Sequence, residues 1–240
     1  MAFFEHGDTK LYYEDHGEGF PVLLIAPGGM RSAVSFWEGT PWNPITHLSS
    51  NFRVIAMDQR NAGQSRAPIS ATDGWATYTA DQLALLDHLG VDRFHVAGMC
   101  IGGSYIMALI DAAPERVASG VVFQTIGLDN NRQAFYDMFD DWANRLKPKL
   151  PEVSEVAWES FKHNMYATDD FLFTVGTEWV KTCTTPLLVL LGNDLYHPES
   201  SSRTLAELAP NATLVEDWKE LEHHASAMAA TAEFLAAHSG

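Results

Sequence analysis

A glycine-rich turn around Cys100 is the feature that most restricts how this chain can fold. Phe94–Ala97 is a short apolar run that predicts a buried strand, and Tyr105–Ala112 continues with apolar residues at helical spacing. The intervening turn reads G-x-C-x-G, a pattern that holds one side chain in a strained backbone conformation between strand and helix. The helix N-terminus lowers the pKa of a thiol placed there and favours the thiolate. Cys100 is therefore a candidate nucleophile, although a buried cysteine in the turn of a nucleotide-binding fold is the alternative.

The rest of the chain alternates short apolar runs with helical patterns. Thr77–Leu89 has helical spacing and stops at Gly90, a helix C-terminal signal. A strand, a helix and a strand joined by short links predict a parallel sheet. An α/β fold, with a mostly parallel central sheet flanked by helices, follows from this order. The predicted strands are Phe3–His6, Lys10–Asp15, Pro21–Ala26, Phe52–Asp58, Phe94–Ala97, Val117–Gln124, Pro186–Gly192 and Ala212–Glu216.

Polar or glycine-rich segments follow several of these strands. Pro27-Gly28-Gly29-Met30 follows one strand, and Asp58-Gln59-Arg60-Asn61-Ala62-Gly63-Gln64-Ser65 follows the next. Asp194 lies just beyond the strand Pro186–Gly192. Because the carboxyl ends of parallel strands meet at one edge of a sheet, these segments are expected to lie near Cys100.

Taken together, these segments resemble the α/β-hydrolase superfamily over nearly the whole chain. The resemblance implies the order nucleophile, acid, histidine, and it assigns these roles to Cys100, Asp194 and a late histidine. It places a backbone N–H of Gly29 or Met30, with that of Ile101, at an oxyanion. The turn from Asp58 to Ser65 is interpreted as structural rather than catalytic.

Three candidates remain for the histidine. His224 is preferred narrowly over His223 by its position before the last helix, and His197 is less favoured because it lies beside the acid in sequence. The chain departs from the family in several places. Cys100 replaces the usual serine, Pro27 replaces a histidine, and no small residue precedes His223 or His224.

The resemblance also implies a helical lid inserted in the core. We expect residues 1–127 and 186–240 to form the α/β-hydrolase core and residues 128–185 to form the lid. This insertion is rich in aromatic side chains, most of which are expected to pack the lid on the core. They are Phe135, Tyr136, Phe139, Trp142, Trp158, Phe161, Tyr166, Phe171, Phe173 and Trp179.

Charge and composition limit the partners. The formal net charge of -16 disfavours nucleic acid and anionic membranes. No signal peptide or membrane span is visible, and two cysteines form no disulfide framework, so a cytoplasmic protein is expected. We expect no cofactor and no metal, a small acyl substrate with an apolar or aromatic group, and a monomer or homodimer.

The predicted function is hydrolysis of an activated carboxylic ester, lactone or thioester through an acyl-enzyme on Cys100. A thiol nucleophile suits activated acyl groups, and the late histidine would act as the base with Asp194 orienting it. Two alternatives stay open. One is an acyltransferase of the same fold, and the other is a non-catalytic or weakly active protein that binds a small molecule.

Overall fold

One eight-stranded sheet forms the centre of the molecule. The computed structural model describes residues 2–240. The strands are β1 (Ala2–His6), β2 (Thr9–His16), β3 (Pro21–Ile25), β4 (Arg53–Met57), β5 (Phe94–Cys100), β6 (Val117–Thr125), β7 (Leu187–Leu190) and β8 (Ala212–Val215). The α-helices are α1 (Pro44–Leu48), α2 (Trp75–His88), α3 (Ile101–Ala112), α4 (Arg132–Leu146), α5 (Glu155–Tyr166), α6 (Thr177–Val180), α7 (Glu199–Leu208) and α8 (Leu221–Ala237).

The strand order across the sheet is β1-β2-β4-β3-β5-β6-β7-β8. The pairs β1–β2 and β2–β4 are antiparallel, and all other pairs are parallel. The predicted fold class is confirmed, and the strand bounds lie within one or two residues of the predicted ones, apart from β5, which extends to Cys100. Helix α2 begins before the predicted Thr77, because the Thr77 hydroxyl accepts a hydrogen bond from the Gly74 N–H (3.2 Å) and so belongs inside the first turn.

Side chains that alternate along the strands build a core on each face of the sheet. Leu23 and Ile25 of β3 pack with α2 and α3, whereas Val22 and Leu24 pack with α8. All four are fully buried. The central strands are therefore covered on both faces, which explains their nearly continuous apolar sequence. This arrangement fixes the carboxyl edge of β3, β5 and β7, where the candidate site lies.

Helices α4, α5 and α6 lie between β6 and β7, in the segment predicted to be a lid. Seven of its ten aromatic side chains are buried, and Tyr136, Phe171 and Trp179 are partly buried. Buried rings contact each other edge-on, such as Phe139 with Phe161 at a centroid distance of 5.3 Å. Packing accounts for the buried side chains, and the role of residues 128–185 as a lid stays a prediction.

Among residues 2–240, no helix combines the length and the apolar character needed to cross a bilayer.

A buried histidine near the N-terminal end of β5 is expected to make the stability of the fold depend on pH. His95 is fully buried; its Nδ1 lies 2.8 Å from the Ser119 hydroxyl and its Nε2 lies 3.1 Å from the Ser239 hydroxyl. Burial, aided by the positive charges of His238 and Arg93, lowers the pKa of His95 to about 4. In the unfolded chain this pKa returns to about 6.5. The unfolded state therefore binds more protons between these values.

We expect the free energy of unfolding to fall as the pH decreases from about 6.5 to about 4, with His95 contributing on the order of 1.4 kcal/mol per pH unit within that window. Urea unfolding at several pH values measures this slope. His95→Gln should flatten it, whereas His47→Gln, at a histidine on α1, should not. Equal slopes for the parent protein and His95→Gln would contradict the assignment.

Candidate active site

Cys100 lies at the sharp turn between β5 and α3. Its backbone has φ 62° and ψ -116°, a conformation that costs a non-glycine residue free energy. Neighbouring glycines allow the tight packing that maintains it. A Cβ on Gly98 would lie 2.9 Å from the Cα of Gly102, and one on Gly102 would lie 2.9 Å from the Ile25 carbonyl oxygen. The half-buried thiol is thus presented at the carboxyl edge of the sheet, as the G-x-C-x-G pattern predicts.

A short turn after β7 carries both Asp194 and His197. The Nδ1 atom of His197 lies 2.8 Å from each carboxylate oxygen of Asp194. Backbone N–H groups of Tyr196 and His197 also donate to Asp194 Oδ1, at 3.0 and 3.1 Å. The carboxylate is therefore anchored by its own turn, and it fixes the orientation of the imidazole.

The other face of His197 is directed to Cys100. Its side chain is only 12% exposed, and no atom among residues 2–240 forms a hydrogen bond with the buried Nε2. Burial lowers the pKa of His197, but interaction with Cys100 and then with Asp194 outweighs burial and raises the pKa above its usual value. Burial raises the pKa of Asp194, but its hydrogen bonds and charge interaction with His197 bring it below the usual value. The imidazole thus lies between a thiol and a carboxylate.

The pKa of the Cys100 thiol is shifted in the direction opposite to that of His197. Burial raises the pKa of Cys100, but interaction with the nearby His197 imidazole, and then with the backbone N–H groups of Gly28 and Ile101, lowers it below its usual value. A lowered thiol pKa beside a raised imidazole pKa favours a thiolate–imidazolium pair. Such a pair makes a cysteine more nucleophilic than the neutral thiol.

The two backbone donors come from different segments. Ile101 begins α3, and Gly28 precedes a 3₁₀ turn that spans Gly29–Arg31. The N–H groups of Gly28 and Ile101 lie near the sulfur. Gly29 and Met30 follow Gly28 directly, and their predicted role as oxyanion donors stays a prediction. Gly28 has φ 119°, a backbone conformation that residues with a side chain rarely adopt. The sequence does not show which glycine of the loop adopts it.

His224 and His223 occupy positions that differ from their predicted role. Nε2 of His224 lies 2.8 Å from the Lys219 carbonyl oxygen, at the start of α8. Nε2 of His223 lies 3.9 Å from a carboxylate oxygen of Glu222. Among residues 2–240, neither forms a hydrogen bond with Cys100 or Asp194. The structure instead brings His197, the less favoured candidate, to the thiol.

The segment after β8 is the place where the family resemblance puts the base. Trp218 fills this region, fully buried, and its indole N–H donates to the Leu191 carbonyl (2.9 Å). Lys219 follows and donates to Asn193 Oδ1 at 2.5 Å. Both hydrogen bonds hold residues just before Asp194, so this segment stabilises the turn that carries Asp194 and His197.

The polar side chains of the turn after β4 form hydrogen bonds and ion pairs with neighbouring loops and with α2. The Asp58 carboxylate accepts hydrogen bonds from the backbone N–H groups of Val34 and Gln64, both at 2.7 Å. The Arg60 guanidinium is buried against Asp81 and Asp73. Both groups are occupied in holding the loops beside the Cys100 turn, in agreement with the structural interpretation of the motif.

Aromatic side chains of the inserted segment lie against the site. Tyr196, in the turn with His197, packs edge-on to Phe135 of α4 at 5.6 Å, and Phe135 stacks on Tyr166 at 5.4 Å. The Tyr166 hydroxyl donates to Met30 Sδ at 3.5 Å. These contacts form an apolar wall that extends from the imidazole to the loop carrying Gly28.

Several known proteins with similar sequence are hydrolases by name. The chain is 40% identical over 122 residues to RutD of Azorhizobium caulinodans, named for carbamate hydrolysis; the match covers 50% of the chain and spans only 42% of that relative. It is 25% identical over 219 residues to the carboxylesterase YbfK of Bacillus subtilis (strain 168), covering 79% of the chain and 70% of the relative. These names describe those proteins.

A solved structure supports the fold over nearly the full length. A single-site mutant of the meta-cleavage product hydrolase CumD superposes with a TM-score of 0.73 at 24% identity, covering 98% of each chain. At that identity the likeness concerns the fold alone. The family model described as alpha/beta hydrolase fold matches residues 21–185, more than half of the sequence. Together with the sheet order and the turn at Cys100, this match shows that the chain belongs to the α/β-hydrolase fold family.

Proposed function

We propose that this protein hydrolyses an activated carboxylic ester, lactone or thioester through an acyl-enzyme on Cys100. The observation that carries the proposal is the contiguous arrangement of Cys100, His197 and Asp194, with the two backbone donors at the sulfur. The relatives named for carbamate and carboxylic ester hydrolysis support hydrolysis of acyl compounds in general. The choice of a thiol nucleophile and of His197 as base rests on the geometry of this chain.

The acylation step assigns a function to each residue of the proposed site. The Cys100 thiolate attacks the acyl carbonyl carbon, and the N–H groups of Gly28 and Ile101 stabilise the negative charge that develops on its oxygen, by about 3 kcal/mol for a donor of this type. His197 gives its proton to the leaving alcohol or thiol. Asp194 holds the imidazole in position and balances its positive charge.

Deacylation reverses the proton movement. The neutral His197 takes a proton from water, and the resulting hydroxide attacks the thioester carbonyl. The carbon–sulfur bond then breaks, the carboxylic acid leaves, and the thiolate–imidazolium pair is restored. Water is the only co-reactant in this step, because a thioester is already an activated acyl group.

An acyl adduct on Cys100 is the expected signature of this reaction. Brief mixing with p-nitrophenyl butyrate should increase the protein mass by one butyryl group, and peptide mapping should place it on Cys100. Cys183→Ala is the matched control, because Cys183 is the other cysteine and is buried, with its pKa raised by burial. Cys183→Ala should keep the adduct, and Cys100→Ala should lose it.

The fate of the adduct separates the remaining functions. Release in water alone supports the hydrolase. Release only after an added alcohol, amine or thiol would identify an acyltransferase and overturn hydrolysis. Binding of aryl esters with no adduct and no product would identify a non-catalytic binding protein.

A further inference from the structure

Asn131 occupies the N-cap position of α4, yet its side chain does not cap the helix. An asparagine at this position normally accepts a hydrogen bond from an N–H group of the first helical turn. Here the backbone carbonyl of Asn131 still accepts from Ala134 N–H at 3.0 Å, while the side chain is directed elsewhere. The first turn of α4 therefore lacks a side-chain cap, and the Asn131 amide forms hydrogen bonds outside the helix.

That contact is with the turn that carries Asp194 and His197. The Asn131 Nδ2 group donates to the Leu195 carbonyl at 2.7 Å and to the Gly127 carbonyl at 3.0 Å. Its Oδ1 accepts from Asp129 N–H at 2.9 Å. Asn131 is 6% exposed, so these bonds are shielded from water and both sides of the amide are satisfied.

The turn itself lies at the surface and depends on such support. The Leu195 side chain is 62% exposed and the Asp194 side chain is 47% exposed. Leu195 separates Asp194 from Tyr196 and His197, so its carbonyl lies in the middle of the turn. A buried amide that holds this carbonyl limits how far His197 can move from the thiol.

Helix α4 reaches the opposite side of the site as well. A Cβ on Gly29 would lie 2.3 Å from Met138 Sδ, so α4 packs closely on the loop of the backbone donors. Phe135 packs against Tyr196, one residue before His197. One helix thus contacts both the base turn and the donor loop.

We propose that Asn131 is a positioning residue that holds His197 at the Cys100 thiol through the Leu195 carbonyl. Placement of α4 on the core then completes the catalytic arrangement. This inference rests on the proposed function for its effect on catalysis, but its effect on the thiol does not require turnover. Small displacements of a catalytic group can lower a rate by up to about 10²-fold, so loss of this amide should be measurable.

The test compares Asn131→Leu with Asn164→Leu, both in the Cys183→Ala background. Leucine matches asparagine in size and carries no charge that would itself shift a pKa. Asn164 Nδ2 also donates to two carbonyls, of Ala71 (3.0 Å) and Asp73 (2.8 Å), and ties α5 to the start of α2. Its side chain is more exposed, and it does not contact the base turn.

Two readouts are measured for each variant. The first is the pH midpoint of Cys100 alkylation by iodoacetamide, which reports the thiol pKa. Asn131→Leu should raise this midpoint by about one pH unit, because the imidazolium is held less closely. The second is kcat/KM with p-nitrophenyl butyrate, which should fall by about 10- to 100-fold. Asn164→Leu should change neither beyond about twofold.

The outcomes distinguish the two proposals. An unchanged alkylation midpoint in folded Asn131→Leu, or an equal change in Asn164→Leu, would overturn the role of Asn131. A raised midpoint in a protein that hydrolyses nothing would support Asn131 and overturn the proposed function. If Asn131→Leu does not fold, Asn131→Ala, which removes the amide without adding an apolar group of the same size, serves with the same readouts and the same expected changes.

Discussion

His197→Ala is expected to lower kcat for an aryl ester by about 10³-fold, the largest effect among the histidines of this chain. The imidazole is the group that lies between the thiol and the carboxylate, so its removal takes away proton transfer and the positive charge that stabilises the thiolate. The measurement is steady-state hydrolysis of p-nitrophenyl butyrate. The pH midpoint of thiol alkylation should also rise, because burial of Cys100 is then no longer offset by the imidazole.

His224→Ala and His223→Ala are the matched controls, because these histidines follow β8 where the family resemblance places the base. Their imidazoles lie beside the Lys219 carbonyl and the Glu222 carboxylate, so each variant should keep kcat within about threefold. A loss of activity in His224→Ala as large as that in His197→Ala would contradict the assigned base. An inactive His224→Ala with active His197→Ala would restore the histidine that the sequence favours.

Arg60→Met is expected to lower the free energy of unfolding by about 3–5 kcal/mol. Arg60 donates to both carboxylate oxygens of Asp81, at 2.7 and 3.0 Å, and to Asp73 at 3.3 Å. All three side chains are less than 10% exposed. Methionine fills the volume but leaves two buried carboxylates without a cation. Urea unfolding should show a lower midpoint with an unchanged m-value.

Arg53→Met is the matched control. Arg53 makes a similar two-point contact with Asp15, at 3.1 and 2.8 Å, but the pair is 28% and 32% exposed. Solvent screening limits the stabilisation by such a pair to about 1 kcal/mol or less. If the two variants lost equal stability, burial would not be what makes the Arg60 pairs important.

The fold could be predicted well because its signals are local. The apolar run Pro21–Ala26 can satisfy its pattern only in a strand covered on both faces, and β3 is such a strand. The turn at Cys100 also follows from nearby residues, since Gly98 and Gly102 admit the close approach that the geometry requires. Element type and order therefore follow from short-range pattern.

The proposed base could not be chosen from the sequence because the position of its side chain depends on contacts between residues far apart in the chain. His197 lies three residues after Asp194, and sequence proximity suggests a neighbour of the acid rather than the base. The turn that carries it is held at the Leu195 carbonyl by Asn131, 64 residues earlier in the chain, and we propose that this contact keeps the ring at Cys100. No local pattern reports such a contact.

The backbone donor is a second case. Gly28 and Gly29 are equivalent by residue type, and the family pattern favours Gly29 or Met30. The choice depends on where the 3₁₀ turn begins, and Gly28 with φ 119° directly precedes it. A Cβ on Gly28 would lie 3.4 Å from Phe36 and one on Gly29 would lie 2.3 Å from Met138 Sδ, and such contacts cannot be read from the amino-acid type of a glycine.

One four-residue turn after β7 contains both Asp194 and His197, so neither proposed partner of Cys100 comes from the last strand or the last helix. In the proposed mechanism the nucleophile, the base and the acid all precede β8, so β8 and α8 would supply support without reactive groups. Mutations in α8 should lower the stability of the protein to heat or denaturant more than they change the pH dependence of its rate. A related chain could therefore vary, shorten or replace its last helix while keeping the same reaction, provided that the turn after β7 retained its shape.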